Sequence, residues 1–208
     1  FKTELKEIFD KNLPLVEFLG HGYYSHYIPS LVDHISDRSE FLTSYTQYQP
    51  EISQGFLQVL FEYQSLIVEL TGLGIANSSM YDFATSIGEA ALLSGRISPT
   101  RTTILVPDIL RPERLSVLKN YTSNSGFKIE SYPTRDSNTD IEKLENLFSN
   151  DVSMIYIGSP NSHGALEESI KHISDMAHAS GSLCCLGTDP IALSILEPPS
   201  SLGIDIVV

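Results

Sequence analysis

Positive charge is scarce in this sequence, where 13 Lys and Arg stand against 26 Asp and Glu, a formal net charge of −13 over 208 residues. Too few cations remain to neutralise a phosphate backbone or to hold an anionic bilayer surface, which excludes nucleic acid and membrane as partners. Long apolar runs are also missing. No stretch approaches the roughly 20 residues that a bilayer crossing needs. The opening Phe1-Lys2-Thr3-Glu4-Leu5-Lys6 lacks the apolar centre of a secretory leader, so a cytoplasmic protein is expected. Cysteine is limited to the adjacent pair Cys184-Cys185 inside an apolar run. Neighbouring cysteines make poor disulfides and free thiols are commonly buried, so the pair reads as strand packing, without redox or metal chemistry. Repeats, low-complexity tracts and linker-like segments are absent. No Gly-x-Gly-x-x-Gly turn follows a strand, which argues against a nicotinamide-binding domain. His172 and His178 lie six apart on an expected helix, do not share a face, and imply no zinc.

With 41% hydrophobic residues, the chain can bury a substantial core within the size of one ordinary domain. Its first hundred residues read mostly as helices and loops, and its second hundred alternates short apolar runs with amphipathic stretches. That alternation predicts βαβ units, with strands at 102–106, 127–131, 153–157, 183–187 and 204–208. Their Ile, Val and Leu content suits a sheet covered on both faces. Thr139-Asp140-Ile141-Glu142 has capping-box spacing for a helix to Phe148, and Pro112 sits where a first-turn proline is tolerated. A helix over 167–180 is closed by Gly181. Another spans 53–70, with Phe56, Leu57, Leu60, Phe61, Tyr63, Ile67 and Leu70 covering more than one stripe. This width predicts burial on most sides, as in an ordinary core helix.

The richest chemistry stands just before that helix. Tyr45-Thr46-Gln47-Tyr48-Gln49-Pro50-Glu51-Ile52-Ser53-Gln54-Gly55 combines phenols, carboxamides, a carboxylate and hydroxyls, stiffened by Pro50. A polar lead-in with Ser53 as helix N-cap accounts for the composition equally well. The order of residues, however, closely resembles the Tyr-Thr-Pro-Tyr-Gln-Pro-Glu-Ile-Ser-Gln-Gly signature of the glycine cleavage system P-protein family, in its N-terminal half or first subunit. Gln47 replaces the usual proline. The likeness extends to Phe18-Leu19-Gly20-His21-Gly22-Tyr23-Tyr24-Ser25-His26-Tyr27-Ile28-Pro29 and to Asn77-Ser78-Ser79-Met80-Tyr81-Asp82-Phe83-Ala84-Thr85, where Phe83 stands in place of a glycine. Ser159-Pro160-Asn161, Asp189-Pro190 and Gly203-Ile204-Asp205-Ile206-Val207-Val208 fit as well, so the resemblance spans nearly the whole chain.

What the resemblance implies is an α/β protein of the aspartate-aminotransferase-like (fold type I) pyridoxal phosphate transferase fold, a mostly parallel sheet flanked by helices and incomplete at the carboxyl end. Residues 1–75 would form a helical and loop segment with the polar loop and interface helix, and 76–208 the first part of the large α/β domain. The implied reaction is decarboxylation of glycine and transfer of its aminomethyl group to the lipoyl arm of the H-protein. Equivalents of the cofactor site would be Asp82, Thr85 and Ser86 at a helix N-terminus, His163 in a loop, and Asp189 after the strand at 183–187. Local capping by Asp82, loop capping by Asp189 and a solvated His163 are the competing accounts. Covalent attachment of the cofactor needs a lysine after Asp189, and Lys2, Lys6, Lys11, Lys119, Lys128, Lys143 and Lys171 all precede it. The resemblance therefore assigns that lysine to a second P-protein subunit, in a heterodimer or α2β2 heterotetramer. Tyr45, Tyr48, Gln49, Glu51 and Ser53 would complete the neighbouring pocket or line the lipoyl entrance. A noncatalytic structural paralogue is the alternative, and a desulfurase or aminotransferase of the same fold a more distant one.

Overall fold

The computed structural model describes residues 1–13, 15–16, 18, 25–42 and 47–208. The chain divides into two compact units, Phe1–Ser53 and Gln54–Val208. The first contains three short helices, α1 (Lys2–Phe9), α2 (Ser30–Ser36) and α3 (Ser39–Leu42), none of which buries a described side chain. After α3 the described chain resumes in tight turns, where Ile52 N donates to Gln49 O at 3.2 Å and Ser53 N to Pro50 O at 3.4 Å.

The second unit opens with α4 (Gln54–Thr71) and α5 (Phe83–Ile97), then winds β1 (Thr103–Pro107), α6 (Pro112–Thr122) and β2 (Lys128–Tyr132). A hairpin of β3 (Thr134–Arg135) and β4 (Asn138–Thr139) leads to α7 (Ile141–Glu145), β5 (Val152–Gly158), α8 (Ile170–Ala179), β6 (Leu183–Gly187) and β7 (Ile206–Val207). The strands pair in parallel in the order β2-β1-β5-β6-β7. Successive side chains alternate between faces. Ile104, Val106, Met154, Tyr156 and Cys185 face a core built with Ile87, Ala90, Ala91 and Leu118 of α5 and α6. Leu105, Ile155, Ile157, Cys184 and Leu186 face the opposite core with Leu144 of α7 and Ile173 and Ala177 of α8. Both faces are covered, which is why the strands read as apolar runs without polar alternation.

Each expected strand forms, within about two residues of its expected bounds. Three local expectations change. The capping box at 139–142 does not close, because Asp140 makes no side-chain cap bond and Thr139 Oγ1 donates instead to Glu167 at 2.6 Å. The helix expected from 167 begins at Ile170, with Gly181 at φ 74° closing its far end as anticipated. Helix α4 is not buried on most sides: Thr71 is its one buried residue, and Val59, Phe61, Tyr63, Leu66 and Leu70 are all at least 40% exposed. Its apolar surface exceeds what this unit's own core uses.

Candidate functional site

Parallel strands deliver their following loops to one rim of the sheet, so the residues after β5 and β6 and the first turn of α5 can meet there. Asp82 enters α5 in extended conformation, φ −159° and ψ 170°, and its carboxylate accepts from Thr85 N at 2.8 Å. Its carbonyl accepts from Thr85 Oγ1 and Ser86 Oγ, each at 2.9 Å. Asp82 is thus a helix cap that satisfies one orphan amide and places negative charge at the positive end of the helix dipole. Both hydroxyls expected to meet a phosphate are turned onto their own backbone.

Phe83, the next residue, reaches the end of β6. A Cβ placed on Gly187 would collide with Tyr156 Oη and, at 2.7 Å, with Phe83 Cζ, so the ring and the phenol converge on one backbone position that only glycine leaves open. The Arg114 guanidinium lies over the Phe83 ring, its Cζ 3.8 Å from the centroid, a cation–π contact. Tyr156 Oη is buried and has no hydrogen-bond partner among the described residues. Burial pushes the Tyr156 phenol pKa up, and the charge of nearby Arg114 opposes that rise. Sequence reasoning missed both Tyr156 and Arg114. The only signal for the first was an aromatic hydroxyl inside a doubly covered strand.

Of the remaining residues expected at the rim, Asp189 Oδ1 accepts from Ile191 N at 2.8 Å, a local turn contact of the loop leaving β6. Asn161 Oδ1 accepts from His163 N at 3.0 Å and Ala165 N at 3.1 Å, while its amide donates to Ser137 O at 2.5 Å. His163 is exposed, with Nδ1 3.1 Å from Ser137 Oγ. That loop is anchored by buried Glu167, which accepts from Thr139 N at 2.8 Å, Thr139 Oγ1 at 2.6 Å and Ser169 N at 3.0 Å. Tyr48, Gln49 and Glu51 are exposed and Ser53 is buried, all four in the first unit, and Tyr45 lies outside the described residues, as do residues 19–24 of the 18–29 motif. Cys184 and Cys185 are buried free thiols, Cys184 pushed up to about 12 by burial and by the Asp205 charge, as strand packing requires. Among the described residues no cluster of three or more His, Cys, Asp or Glu fits a metal ion, and no helix is long and apolar enough to cross a membrane.

A cavity of about 590 Å³ runs along the flank of α5 beside α4 and β7, lined by Tyr63, Leu70, Ser86, Glu89, Arg96 and Thr188 among others. Thr188 Oγ1 is buried without a partner among the described residues.

The family model for the glycine cleavage system P-protein matches residues 1–208. The probable glycine dehydrogenase (decarboxylating) subunit 1 of Halobacterium salinarum is 54% identical over 198 residues, covering 95% of this chain and 45% of that relative. Its counterpart in Thermococcus kodakarensis is 50% identical, covering 99% of this chain and 46% of that protein. A crystal structure of glycine decarboxylase (P-protein) of the glycine cleavage system, in inhibitor-bound form, superposes with a TM-score of 0.88 at 40% identity, over 99% of this chain and 46% of that one. The apo cysteine desulfurase of Thermococcus onnurineus superposes with a TM-score of 0.64 at 17% identity, over 86% and 46% of the two chains, a likeness of fold alone. The architecture is that of the fold type I pyridoxal phosphate enzymes. The chain spans somewhat less than half the length of the curated relatives and of the P-protein structure it matches. A match that runs from its first residue to its last, with the parallel sheet and rim in place, means that this chain belongs to the glycine cleavage system P-protein family.

Proposed function

We propose that this chain serves as the first-subunit half of a glycine decarboxylase, working with a lysine-bearing second subunit in a heterodimer or α2β2 heterotetramer. The observation that carries this reading is the end-to-end likeness to the P-protein, at 40% identity and a TM-score of 0.88. The name "subunit 1" on these two relatives supports a partner subunit. All seven lysines of residues 1–208 precede β6, and in this reading the amine that would hold pyridoxal phosphate belongs to that partner.

Pyridoxal phosphate supplies an electron sink for the carbon dioxide leaving glycine. The rim of this chain does not fit that group: the Asp82 carboxylate holds the helix terminus a phosphate would use, and Phe83 lies against Gly187. Asp82, Thr85, Ser86, His163 and Asp189 are accordingly vestigial counterparts of cofactor contacts. The contribution of this chain is binding and positioning. Tyr45, Tyr48, Gln49, Glu51 and Ser53 supply donors and acceptors that complete the partner's glycine pocket or guide the lipoyl arm of the H-protein, in a cytoplasmic assembly. The exposed apolar stripe of α4 meets the second subunit.

The test is coexpression of the full chain with a lysine-bearing partner, followed by exchange of labelled bicarbonate into glycine. Exchange should need both chains, and Tyr48→Phe and Glu51→Gln should each lower it by about tenfold, the scale of one lost hydrogen bond to a charged group, with assembly intact. Exchange by the partner alone at the full rate would overturn the reading. A noncatalytic subunit, favoured by the self-satisfied rim, predicts instead that both variants keep full exchange.

A further inference from the structure

The two halves of a ring-bearing phosphate monoester make different demands on this rim. The phosphate needs free amides and hydroxyls at the first turn of α5, and the ring needs a flat space between that turn and the end of β6. Both demands are already met from within the chain. Thr85 N is taken by the Asp82 carboxylate, and Thr85 Oγ1 and Ser86 Oγ are bonded to the Asp82 carbonyl. An incoming phosphate would also face a carboxylate at close range, and like charges repel. The flat space holds the Phe83 ring, one face under the Arg114 guanidinium and its tip against Gly187. Tyr156, itself 1% exposed, converges on the same glycine, so its phenol and the Phe83 ring together fill the space at the end of β6.

We propose that Asp82 and Phe83 together close this chain's own cofactor cradle, the carboxylate standing where a ligand phosphate would sit and the ring, clamped by Arg114, standing where a pyridine ring would stack. The closure keeps pyridoxal phosphate, and aromatic phosphate monoesters in general, from being diverted to this chain's rim when the partner subunit holds the cofactor. This inference rests on the subunit reading above and concerns only which half can hold the ligand.

Equilibrium dialysis of the full chain against pyridoxine phosphate tests it, because that alcohol lacks the aldehyde that would attach to surface lysines. The wild-type chain should retain no ligand above the dialysate. Asp82→Ser with Phe83→Gly keeps a capping hydroxyl, frees the carboxylate's position and opens the ring's space, and it should bind about one equivalent at least tenfold more tightly than wild type. Phe83→Leu keeps the bulk and should stay closed. Wild-type binding as tight as that of the double variant would overturn the proposal, as would a folded double variant that binds nothing, or Phe83→Leu binding like the double variant. If the double variant shows no cooperative thermal unfolding, Asp82→Asn with Phe83→Ala, which also removes both the carboxylate charge and the ring, decides in the same assay, a gain in retention supporting closure and none refuting it. Bicarbonate exchange by the assembled enzyme is a separate readout, so failure here leaves the subunit reading standing and failure there leaves closure standing.

Discussion

Glu167 holds a buried carboxylate with three donors aimed at it from Thr139 and Ser169, and its own amide donates to Ser159 Oγ at 3.1 Å. Replacing it with alanine strands two backbone amides and a hydroxyl out of water. Glu167→Ala should therefore cost about 2–4 kcal/mol, read from the urea midpoint, with Glu167→Gln costing less because its amide oxygen still accepts. A loss below the scatter of surface substitutions would mean that water replaces the carboxylate. Asp151 permits a test by pH. Thr103 and then Thr102 donate to its carboxylate and hold its pKa below the ordinary aspartate range, tying the start of β5 to that of β1. A depressed folded-state pKa gives stability that is present above the unfolded value of roughly 4 and is lost as pH falls through the folded one. Asp151→Asn should flatten that acid limb in urea titrations at stepped pH, and parallel curves for the two proteins would refute it. At this scale the sequence displayed Asp82 as a cap and Phe83 as a departure from glycine. It concealed Arg114 and Tyr156, because their meeting with Phe83 depends on three elements distant in the chain.

Helices α5 and α6 approach closely because Gly88 presents no side chain. A Cβ there would lie 2.6 Å from Tyr121 Cγ and 3.0 Å from its Cβ, near the stem of the side chain where a rotamer change gives little relief. Gly88→Ala should cost about 1–3 kcal/mol of overpacking despite alanine's better helix propensity. Tyr121→Ala in the same chain should recover most of that loss, a coupling visible in a double-mutant cycle of thermal or urea unfolding. Purely additive losses would contradict the contact. Helices and strands were legible to different degrees for related reasons. Five parallel strands announced themselves because burial on both faces forces apolar runs, as in Val152–Gly158 and Leu183–Gly187. The β3–β4 hairpin was missed, since two-residue strands carry no periodicity and its turn relies on Asp136 and Ser137 at φ 51° and 67°, positions without the glycine that usually signals them. The failed capping box has the same character: Thr139 matched the local pattern, but a carboxylate 28 residues away won its hydroxyl. Cys184 and Cys185 illustrate the success, adjacent residues sent to opposite cores by strand alternation. Burial pushes both thiols up, so neither should react with a disulfide reagent at neutral pH until the chain unfolds, and rapid native labelling would contradict the packing.

For the whole molecule, the surplus apolar surface of α4 is the feature that looks outward. Val59, Tyr63, Leu66 and Leu70 recur at spacings of four, three and four, which places them on one stripe, and they are 43%, 40%, 63% and 40% exposed. A core helix of this unit would have hidden that stripe, so its exposure supports the proposal that this surface meets the second subunit. Charge on an exposed helix position costs the isolated chain little, within about 0.5 kcal/mol. Charge buried without a counter-ion in an interface costs several kcal/mol, and two such groups should weaken association by about a hundredfold or more. Val59→Glu with Leu66→Glu should therefore leave the thermal transition of the full chain nearly unchanged while abolishing coelution with the lysine-bearing subunit in gel filtration at micromolar concentration. Bicarbonate exchange should fall in parallel and return when the partner is raised well above the weakened dissociation constant. Unchanged coelution would show that the second subunit docks elsewhere. A large fall in the stability of the chain alone would assign the stripe to internal packing.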